Sequence, residues 1–359
     1  MQALMKEQED GGLKPPTGLE GLDSVTLTRF VLHGQRKHHD ASGDLTLLLA
    51  AVQLACKVTE TCVRRAGIAK LYGLAGSGNV QGEDQKKLDI IANDTFKVNI
   101  ESSERCGVMV SEEDELAIVC TKSSIDGTTG KYAIAFDPLD GSSNIDANVS
   151  IGTIFSIFKI DDPDSITDAK SAAAAISQPG RQMVAAGYAM YGSATNLVIS
   201  VGTGVYGFTL DPSLGEFVLT HPDIKIPSRG KIYSVNEGNA KNWDKATTEY
   251  IQSLKYPEEG KSSYSLRYIG SMVADVHRTL FYGGVFIYPA DKKSPNGKLR
   301  LLYEAAPMAF LMEQAGGKAT TGKTEILDIV PEDIHQRVPV YMGSSEDIAD
   351  FEALASKYA

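Results

Sequence analysis

The sequence of 359 residues predicts a mixed α/β protein, in which sheets covered by helices form two halves that divide near residue 224. Some segments have apolar residues at helical spacing, and others are short apolar runs bounded by turn residues, as is typical of strands. A polar break that contains proline, at residues 222–230, separates the halves. We therefore expect a flexible arm at residues 1–23, an N-terminal domain at 24–223 and a C-terminal domain at 224–359.

The first half begins with helices and continues with strands. Its strongest helical pattern covers residues 44–66, where Leu48, Val52 and Cys56 share one face and Gly67 follows as a stop. Further helices are predicted at residues 26–37 and 83–98, with a glycine-rich loop at 70–82. Strands are expected within 106–158, a polar surface loop at 161–180 and an antiparallel meander at 184–218.

The second half alternates between the two kinds of element. Strands are predicted at residues 232–235, 284–288 and 299–303, and helices at 243–254, 271–280 and 307–315. Two phosphate-binding patterns are rejected on their context. The G-x-G-x-x-G at 202–207 precedes strand-like residues, and the G-x-x-x-x-G-K-T at 317–324 follows a helix, whereas each motif requires a strand before it and a helix after it.

Composition excludes several functional classes. The net charge of −11 argues against a general nucleic-acid or anionic-membrane binder, so an anionic substrate would need a local basic pocket or a bridging metal. The 4 cysteines form no C-x-x-C pair, which favours reduced thiols in the cytosol. We expect a cytoplasmic protein, because the sequence has neither a signal-peptide pattern nor an uninterrupted membrane-spanning apolar stretch.

The segment at residues 137–144 is the strongest functional signal. An apolar run at 132–136 leads into Asp137 and Asp140, and Gly141, Ser142 and Ser143 follow on the turn. Mg²⁺ prefers carboxylates together with substrate phosphate, and turn N–H groups and hydroxyls can bind that phosphate. An Asp-rich turn without a metal remains the alternative, since Asp and Gly are common in turns.

Other acidic residues could join this turn. Glu112 and Glu113 follow an apolar run, Glu83 and Asp89 lie near a predicted helix, and Glu304 ends a strand whose alternation points it to the same face as Arg300. Each alone is most often a solvated acid, but ligands collect at strand ends in α/β sheets.

Basic and aromatic residues cluster in the second half, in Arg267, Tyr268, Tyr288, Lys298 and Arg300. Such residues on turns suit a phosphorylated anion, although a solubilising loop has a similar composition. Acids that can bind metals and cations that can bind phosphate together indicate metal-assisted phosphoryl transfer.

Four stretches identify a family resemblance: DPLDGSSN (137–144), YIGSMVAD (268–275), GKLRLLYE (297–304) and AGGKATTG (315–322). From about Thr26 to the C-terminus the chain resembles the fructose-1,6-bisphosphatases of the lithium-sensitive sugar phosphatase superfamily. The resemblance implies a five-layer α-β-α-β-α sandwich, a homotetramer and hydrolysis of the 1-phosphate of fructose 1,6-bisphosphate in gluconeogenesis. It also implies about two to three Mg²⁺ or Mn²⁺ ions per subunit.

The resemblance also assigns roles to individual residues. The implied metal ligands are Glu83, Glu112, Asp137, Asp140, Glu304 and the carbonyl of Leu139, and the implied residues acting on the attacking water are Asp89, Glu113 and Glu83. The implied substrate contacts are Asp140, Gly141, Ser142, Ser143, Asn236, Tyr268, Ser271, Met272, Tyr288, Lys298, Arg300 and, from a neighbouring subunit, Arg267.

Inhibition by AMP is a further implication. The matching residues are Ser42, Gly43, Asp44, Leu45, Thr46, Lys131, Tyr132 and Lys159. The loop at 36–46 departs from the family pattern, and Lys159 replaces the usual arginine, so the strength of inhibition is left open. Two other functions also remain open: a phosphatase for sedoheptulose bisphosphate or an inositol phosphate, and an AMP sensor without catalysis.

Overall fold

The computed structural model describes residues 25–36, 41–78 and 84–358, and the predicted arm at residues 1–23 lies outside them. The helices of the described residues are α1 (Leu27–Gln35), α2 (Asp44–Arg64), α3 (Lys87–Ser102), α4 (Ala169–Ile176), α5 (Lys245–Lys255), α6 (Met272–Tyr282), α7 (Ala306–Gln314) and α8 (Ser345–Ala355). Short strands β1 (Leu74–Gly78) and β2 (Asp84–Lys86) form an antiparallel pair next to α3.

The larger sheet belongs to the first half. Its strands are β3 (Cys106–Ser111), β4 (Ile118–Val119), β5 (Tyr132–Asp140), β6 (Ile151–Lys159), β7 (Met183–Tyr191), β8 (Thr195–Ser200), β9 (Tyr206–Asp211) and β10 (Glu216–His221). They form an eight-stranded sheet of order β10-β9-β8-β7-β6-β5-β3-β4. Strands β3 and β5 are parallel, so their carboxyl ends, which carry Glu112 and Asp140, lie at one edge.

The smaller sheets belong to the second half. Their strands are β11 (Ile232–Ser234), β12 (Ser265–Leu266), β13 (Val285–Tyr288), β14 (Leu299–Arg300), β15 (Lys318–Thr320), β16 (Arg337–Val338) and β17 (Val340–Gly343). A five-stranded sheet has the order β12-β11-β13-β17-β15, and β14 pairs with β16 separately.

Three hydrophobic cores define the layers. One core joins α1, α2 and α3 to one face of the eight-stranded sheet. A second joins the other face of that sheet to α4, α6 and α7 and to the five-stranded sheet beyond them. The third joins the outer face of the five-stranded sheet to α5 and α8. The predicted five-layer α-β-α-β-α sandwich is therefore confirmed, and its central core contains residues of both halves.

Some predicted elements were wrong in their bounds. The predicted loop at 70–82 contains strand β1, and the helix expected from residue 83 begins only at Lys87, after β2. The predicted loop at 161–180 contains α4, because Asp168 Oδ1 accepts the backbone N–H of Ser171 at 2.8 Å and an alanine run follows this cap. The predicted strand at 299–303 ends at Arg300, and a π-helical turn (Leu301–Ala305) replaces its remainder.

The two rejected glycine motifs indeed lie outside any strand–loop–helix unit. Residues 202–207 connect antiparallel strands β8 and β9, and residues 317–324 contain strand β15. By length and composition alone, α2 could cross a membrane; this is weak evidence, since buried core helices pass the same test. Its inner face packs in the core through Leu48, Leu49 and Val52.

Candidate active site

A cavity of about 370 Å³ opens where the carboxyl ends of β3 and β5 meet residues of the second half. Its lining contains most of the residues singled out from the sequence. They are Glu112, Asp137, Leu139, Asp140, Gly141, Ser142, Ser143, Asn236, Tyr268, Ser271, Met272, Tyr288, Lys298, Arg300 and Glu304. The lining also includes Gly270, Asp275, Phe286 and Leu299, which sequence reasoning did not assign to the site.

Three buried carboxylates form the centre of the cavity. Asp137, Asp140 and Glu304 each offer an oxygen, and these oxygens all lie within 4.8 Å of one another. Strand β5 supplies the first two, and the π-helical turn after β14 supplies the third. The first and second halves of the chain therefore each contribute to this cluster.

Backbone N–H groups fix the orientation of each carboxylate. Asp137 Oδ1 accepts the N–H of Leu139 at 2.9 Å, and Glu304 Oε2 accepts the N–H of Arg300 at 2.6 Å. Asp140 Oδ2 accepts the N–H of Val273 in the first turn of α6 at 2.9 Å. A helix N-terminus favours negative charge, so α6 helps to keep Asp140 ionised.

Burial and mutual repulsion nevertheless disfavour ionisation of the cluster. Burial, together with the charges of Glu112, Asp140 and Glu304, raises the pKa of Asp137 well above its ordinary value. Burial, with a contribution from Glu112, raises the pKa of Asp140 to about 7 and that of Glu304 to about 8. Buried, oxygen-only ligands that repel one another are the donor set that a hard divalent cation stabilises, so these residues fit Mg²⁺ or Mn²⁺.

Arg300 connects the end of β3 to the π-helical turn that carries Glu304. Its side chain is only 4% exposed, and its guanidinium lies 3.0 Å from Glu112 Oε1 and 3.8 Å from Glu304 Oε2. Arg300 and Glu304 lie on one side, as expected, although a π-helical turn rather than strand alternation places them there. The guanidinium offsets part of the negative charge at the edge of the cluster.

Two residues proposed to act on water, Asp89 and Glu113, lie behind the lining residues, and the Asp89 carboxylate interacts with Ser142 and Glu112 of that lining. Among the described residues, Asp89, Glu113 and Arg267 do not line the cavity, and Glu83 lies outside the described residues. Asp89 Oδ2 accepts the N–H of Lys86 at 2.7 Å, and burial raises the pKa of Asp89 to about 7. Glu113 Oε2 accepts a hydrogen bond from Gln85 Nε2 at 2.7 Å.

The turn after Asp140 packs directly against the second half. Gly141 has a φ of +76°, and a Cβ there would lie 3.0 Å from Ser271 Oγ, so glycine suits both the turn and the close approach. Asn144 Nδ2 donates to the carbonyl of Gly270 at 3.0 Å. These contacts join the turn at residues 141–144 to the loop that carries Tyr268.

Asp275, in α6, holds the loop that carries Tyr268 in place. Its buried carboxylate accepts the backbone N–H groups of Ile269 at 3.0 Å and Gly270 at 2.9 Å, and it pairs with Arg278 at 2.6 Å. Burial raises the pKa of Tyr268 to about 12, so its phenol stays protonated and can donate to a phosphate. Asp275 lies within a stretch noted in the sequence, but no pattern there distinguishes a loop anchor from a surface acid.

The residues matched to an AMP site also lie near one another. Asp44, the first residue of α2, accepts hydrogen bonds from Ser42 Oγ at 2.5 Å and Lys131 Nζ at 3.2 Å. Tyr132 pairs with Lys159 across β5 and β6. Residues 37–40 of the divergent loop lie outside the described residues.

The raised pKa values predict how a cation should act on stability. Without a cation, the contribution of Asp140 and Glu304 to stability is present at low pH and is lost as the pH rises through about 7 to 8. We expect added Mg²⁺ to raise the unfolding midpoint more at pH 8 than at pH 6, because protons compete with the cation at the lower pH. Thermal unfolding with and without Mg²⁺ measures this, and an Asp140→Asn variant should show a smaller difference. An equal effect of Mg²⁺ at both pH values would contradict this assignment.

Comparison with known proteins identifies the family. The chain matches the family model described as fructose-1-6-bisphosphatase, N-terminal domain, over residues 25–222 and the corresponding C-terminal domain over residues 226–356. It is 60% identical over 332 residues to the cytosolic fructose-1,6-bisphosphatase of Arabidopsis thaliana, covering 92% of this chain and 95% of that protein. It is 59% identical over 337 residues to the cytosolic enzyme of Oryza coarctata, covering 94% and 95% respectively. The crystal structure of Leishmania major fructose-1,6-bisphosphatase in holo form matches with a TM-score of 0.87 at 48% identity, covering 93% of this chain and 99% of that one. The chain therefore belongs to the fructose-1,6-bisphosphatase family.

Proposed function

We propose that this protein hydrolyses the 1-phosphate of fructose 1,6-bisphosphate in the cytoplasm, as a step of gluconeogenesis. The observation that supports this most strongly is that buried carboxylates line one cavity together with Lys298, Arg300, Tyr268 and Tyr288. Acids that could bind metal and cations that could bind phosphate thus line the same cavity. The names of the cytosolic relatives support both the substrate and the location.

The carboxylates of Glu112, Asp137, Asp140 and Glu304, with Glu83 and the Leu139 carbonyl, would hold about two to three Mg²⁺ or Mn²⁺ ions. When bound, such ions supply Lewis-acid stabilisation of charge on the phosphoryl group. The backbone hydrogen bonds to Asp137, Asp140 and Glu304 preorganise the protein ligands for this task.

The remaining residues would bind the substrate and handle protons. The N–H groups and hydroxyls of Gly141, Ser142 and Ser143 would hold the 1-phosphate. Water would attack phosphorus as the bond to the sugar oxygen breaks, and Asp89, whose pKa of about 7 suits a base near neutrality, would take a proton from that water, with Glu113 and Glu83 nearby in the same role. The departing sugar oxygen would take up a proton and leave as the sugar hydroxyl.

The far side of the cavity would hold the sugar and the 6-phosphate. The residues proposed there are Asn236, Tyr268, Ser271, Met272, Tyr288 and Lys298, with Arg267 from a neighbouring subunit. In this chain Arg267 is exposed and donates to the carbonyl of Leu266 at 2.8 Å. The basic side chains of Lys298 and Arg267 on this far side favour a substrate with a second phosphate. Sedoheptulose bisphosphate also has two phosphates, so it is the substrate to compare.

Loss of one carboxylate of the cluster should abolish most activity. We expect Asp137→Asn to lower kcat/KM for fructose 1,6-bisphosphate by about 10³-fold or more, because a lost metal ligand removes several kcal/mol of transition-state stabilisation. Phosphate release with Mg²⁺ measures this, and Asp94→Asn, on the exposed side of α3, is the matched control. Near-normal activity in Asp137→Asn, or hydrolysis of sedoheptulose bisphosphate in preference by the wild type, would contradict the proposal.

AMP is the proposed allosteric inhibitor, at Ser42, Gly43, Asp44, Leu45, Thr46, Lys131, Tyr132 and Lys159. The side chains of Ser42, Asp44 and Lys131 already lie within hydrogen-bonding distance of one another, which supports a common site.

We expect Lys131→Met to raise the AMP concentration for half-inhibition about tenfold, since a charge-assisted phosphate contact is lost. Activity without AMP should stay at the wild-type level, with Lys122→Met as control. A wild type that AMP does not inhibit would refute this site.

A homotetramer is the proposed assembly. On α2, Leu47, Leu54 and Val58 lie on one helical face and are 50%, 50% and 38% exposed, which suits an interface between copies of this chain. We expect sedimentation equilibrium to give a tetramer for the wild type and a smaller species for Leu54→Glu, because a charge would be buried at the interface. A monomeric wild type would exclude the assembly.

A further inference from the structure

His335 lies on a segment that is hydrogen-bonded to the strand leading into the active site. The backbone N–H of Leu301 donates to the carbonyl of Gln336 at 2.7 Å, and Arg300 in β14 pairs with Arg337 in β16. The N–H of His335 itself donates to Asp333 Oδ1 at 2.7 Å. The base of the imidazole is therefore fixed relative to Arg300.

The imidazole of His335 bridges two parts of the site. Its Nδ1 lies 2.8 Å from the hydroxyl oxygen of Tyr303, and its Nε2 lies 3.3 Å from the carbonyl oxygen of Glu115. A carbonyl only accepts hydrogen bonds, so Nε2 carries the proton and donates to Glu115. Nδ1 then accepts from the hydroxyl of Tyr303, and the neutral Nε2–H tautomer satisfies both contacts.

Each end of this bridge lies next to a carboxylate of the site. Tyr303 is fully buried and directly precedes Glu304 in the π-helical turn. Glu115 follows Glu112 and Glu113 on the turn after β3. The bridge thus connects the turn that carries two acids of the first half to the element that carries the acid of the second half.

Helix α3 also holds the turn after β3. Asn93 Nδ2 and Lys97 Nζ each donate to the carboxylate of Asp114 at 3.1 Å. On the side of the second half, Arg300 contacts the side chain of Glu112, whereas His335 contacts the backbone of the turn itself. His335 is therefore well placed to fix the position of this turn relative to Glu304.

We propose that His335 is a positioning residue for the metal ligands. It holds the turn that carries Glu112 and Glu113 at a fixed position relative to Glu304, so that carboxylates from both halves can bind the same cations. The inference rests on the proposed function, because it assumes that these carboxylates bind divalent metal. Outer-shell partners of metal ligands typically change metal affinity or activity by 10- to 100-fold. Neither Tyr303 nor His335 needs to touch the substrate for this role.

Two variants break the bridge at opposite ends. Tyr303→Phe removes the hydroxyl that donates to Nδ1, and it keeps the ring volume in the core. His335→Asn keeps an oxygen near the position of Nδ1 but removes the donor to Glu115. We expect each to weaken Mn²⁺ binding, measured by titration calorimetry without substrate, by about tenfold. The Mg²⁺ concentration for half-maximal activity should rise in parallel, and KM for fructose 1,6-bisphosphate should change less than about twofold.

The double variant tests the bridge as a unit. If one bridge links the two elements, the double variant should bind Mn²⁺ about as weakly as either single variant. His33→Asn, in α1 and away from the cavity, is the control and should bind Mn²⁺ as the wild type does. Wild-type Mn²⁺ affinity in both single variants, or losses that add in the double variant, would overturn the inference. A wild type that binds Mn²⁺ but hydrolyses no sugar phosphate would refute the proposed function alone.

Discussion

The site depends on keeping several carboxylates together where little of their surface is in contact with water. Asp137, Asp140 and Glu304 are each at least 93% buried, and desolvation and mutual repulsion raise the pKa of all three. Backbone N–H groups, the N-terminus of α6 and the guanidinium of Arg300 offset only part of this cost. Divalent cations would supply the missing positive charge, so the electrostatic arrangement favours the chemistry that the cavity is proposed to perform.

The fold meets this constraint through contacts between its two halves. The parallel pairing of β3 with β5 brings Glu112 and Asp137 to one edge of the eight-stranded sheet. The central core of the sandwich then brings the π-helical turn with Glu304 to the same edge. Asn144, through its hydrogen bond to Gly270, connects the turn after Asp140 to the loop that bears Tyr268. The two proposed phosphate positions are thus held by one packed interface.

Sequence patterns predicted much of this architecture. Helical spacing identified α2, and the aspartates at 137 and 140 were located by the apolar strand that leads into their turn. Those patterns depend on local chemistry, which the sequence displays directly. The motif stretches, through the family resemblance, indicated the five layers that the core clusters confirm.

The features that the sequence did not predict depend on contacts between distant segments or on rare local geometry. The π-helical turn at 301–305 has no characteristic spacing, so its strand-like apolar residues were assigned to a strand. Helix α4 was not predicted because it lies within a polar segment, although Asp168 is a residue type that commonly caps a helix N-terminus. The role of Asp275 and the proposed role of His335 depend on hydrogen bonds to loop backbone, and residue type alone does not indicate such partners.

The central claim is that acids from both halves bind the same divalent cations. Anomalous diffraction from crystals grown with Mn²⁺ tests it most directly, because the peaks locate the metal independently of activity. We predict peaks within coordination distance of Asp137, Asp140 and Glu304. Strong Mn²⁺ peaks elsewhere on the molecule, with none among these three carboxylates, would contradict the account.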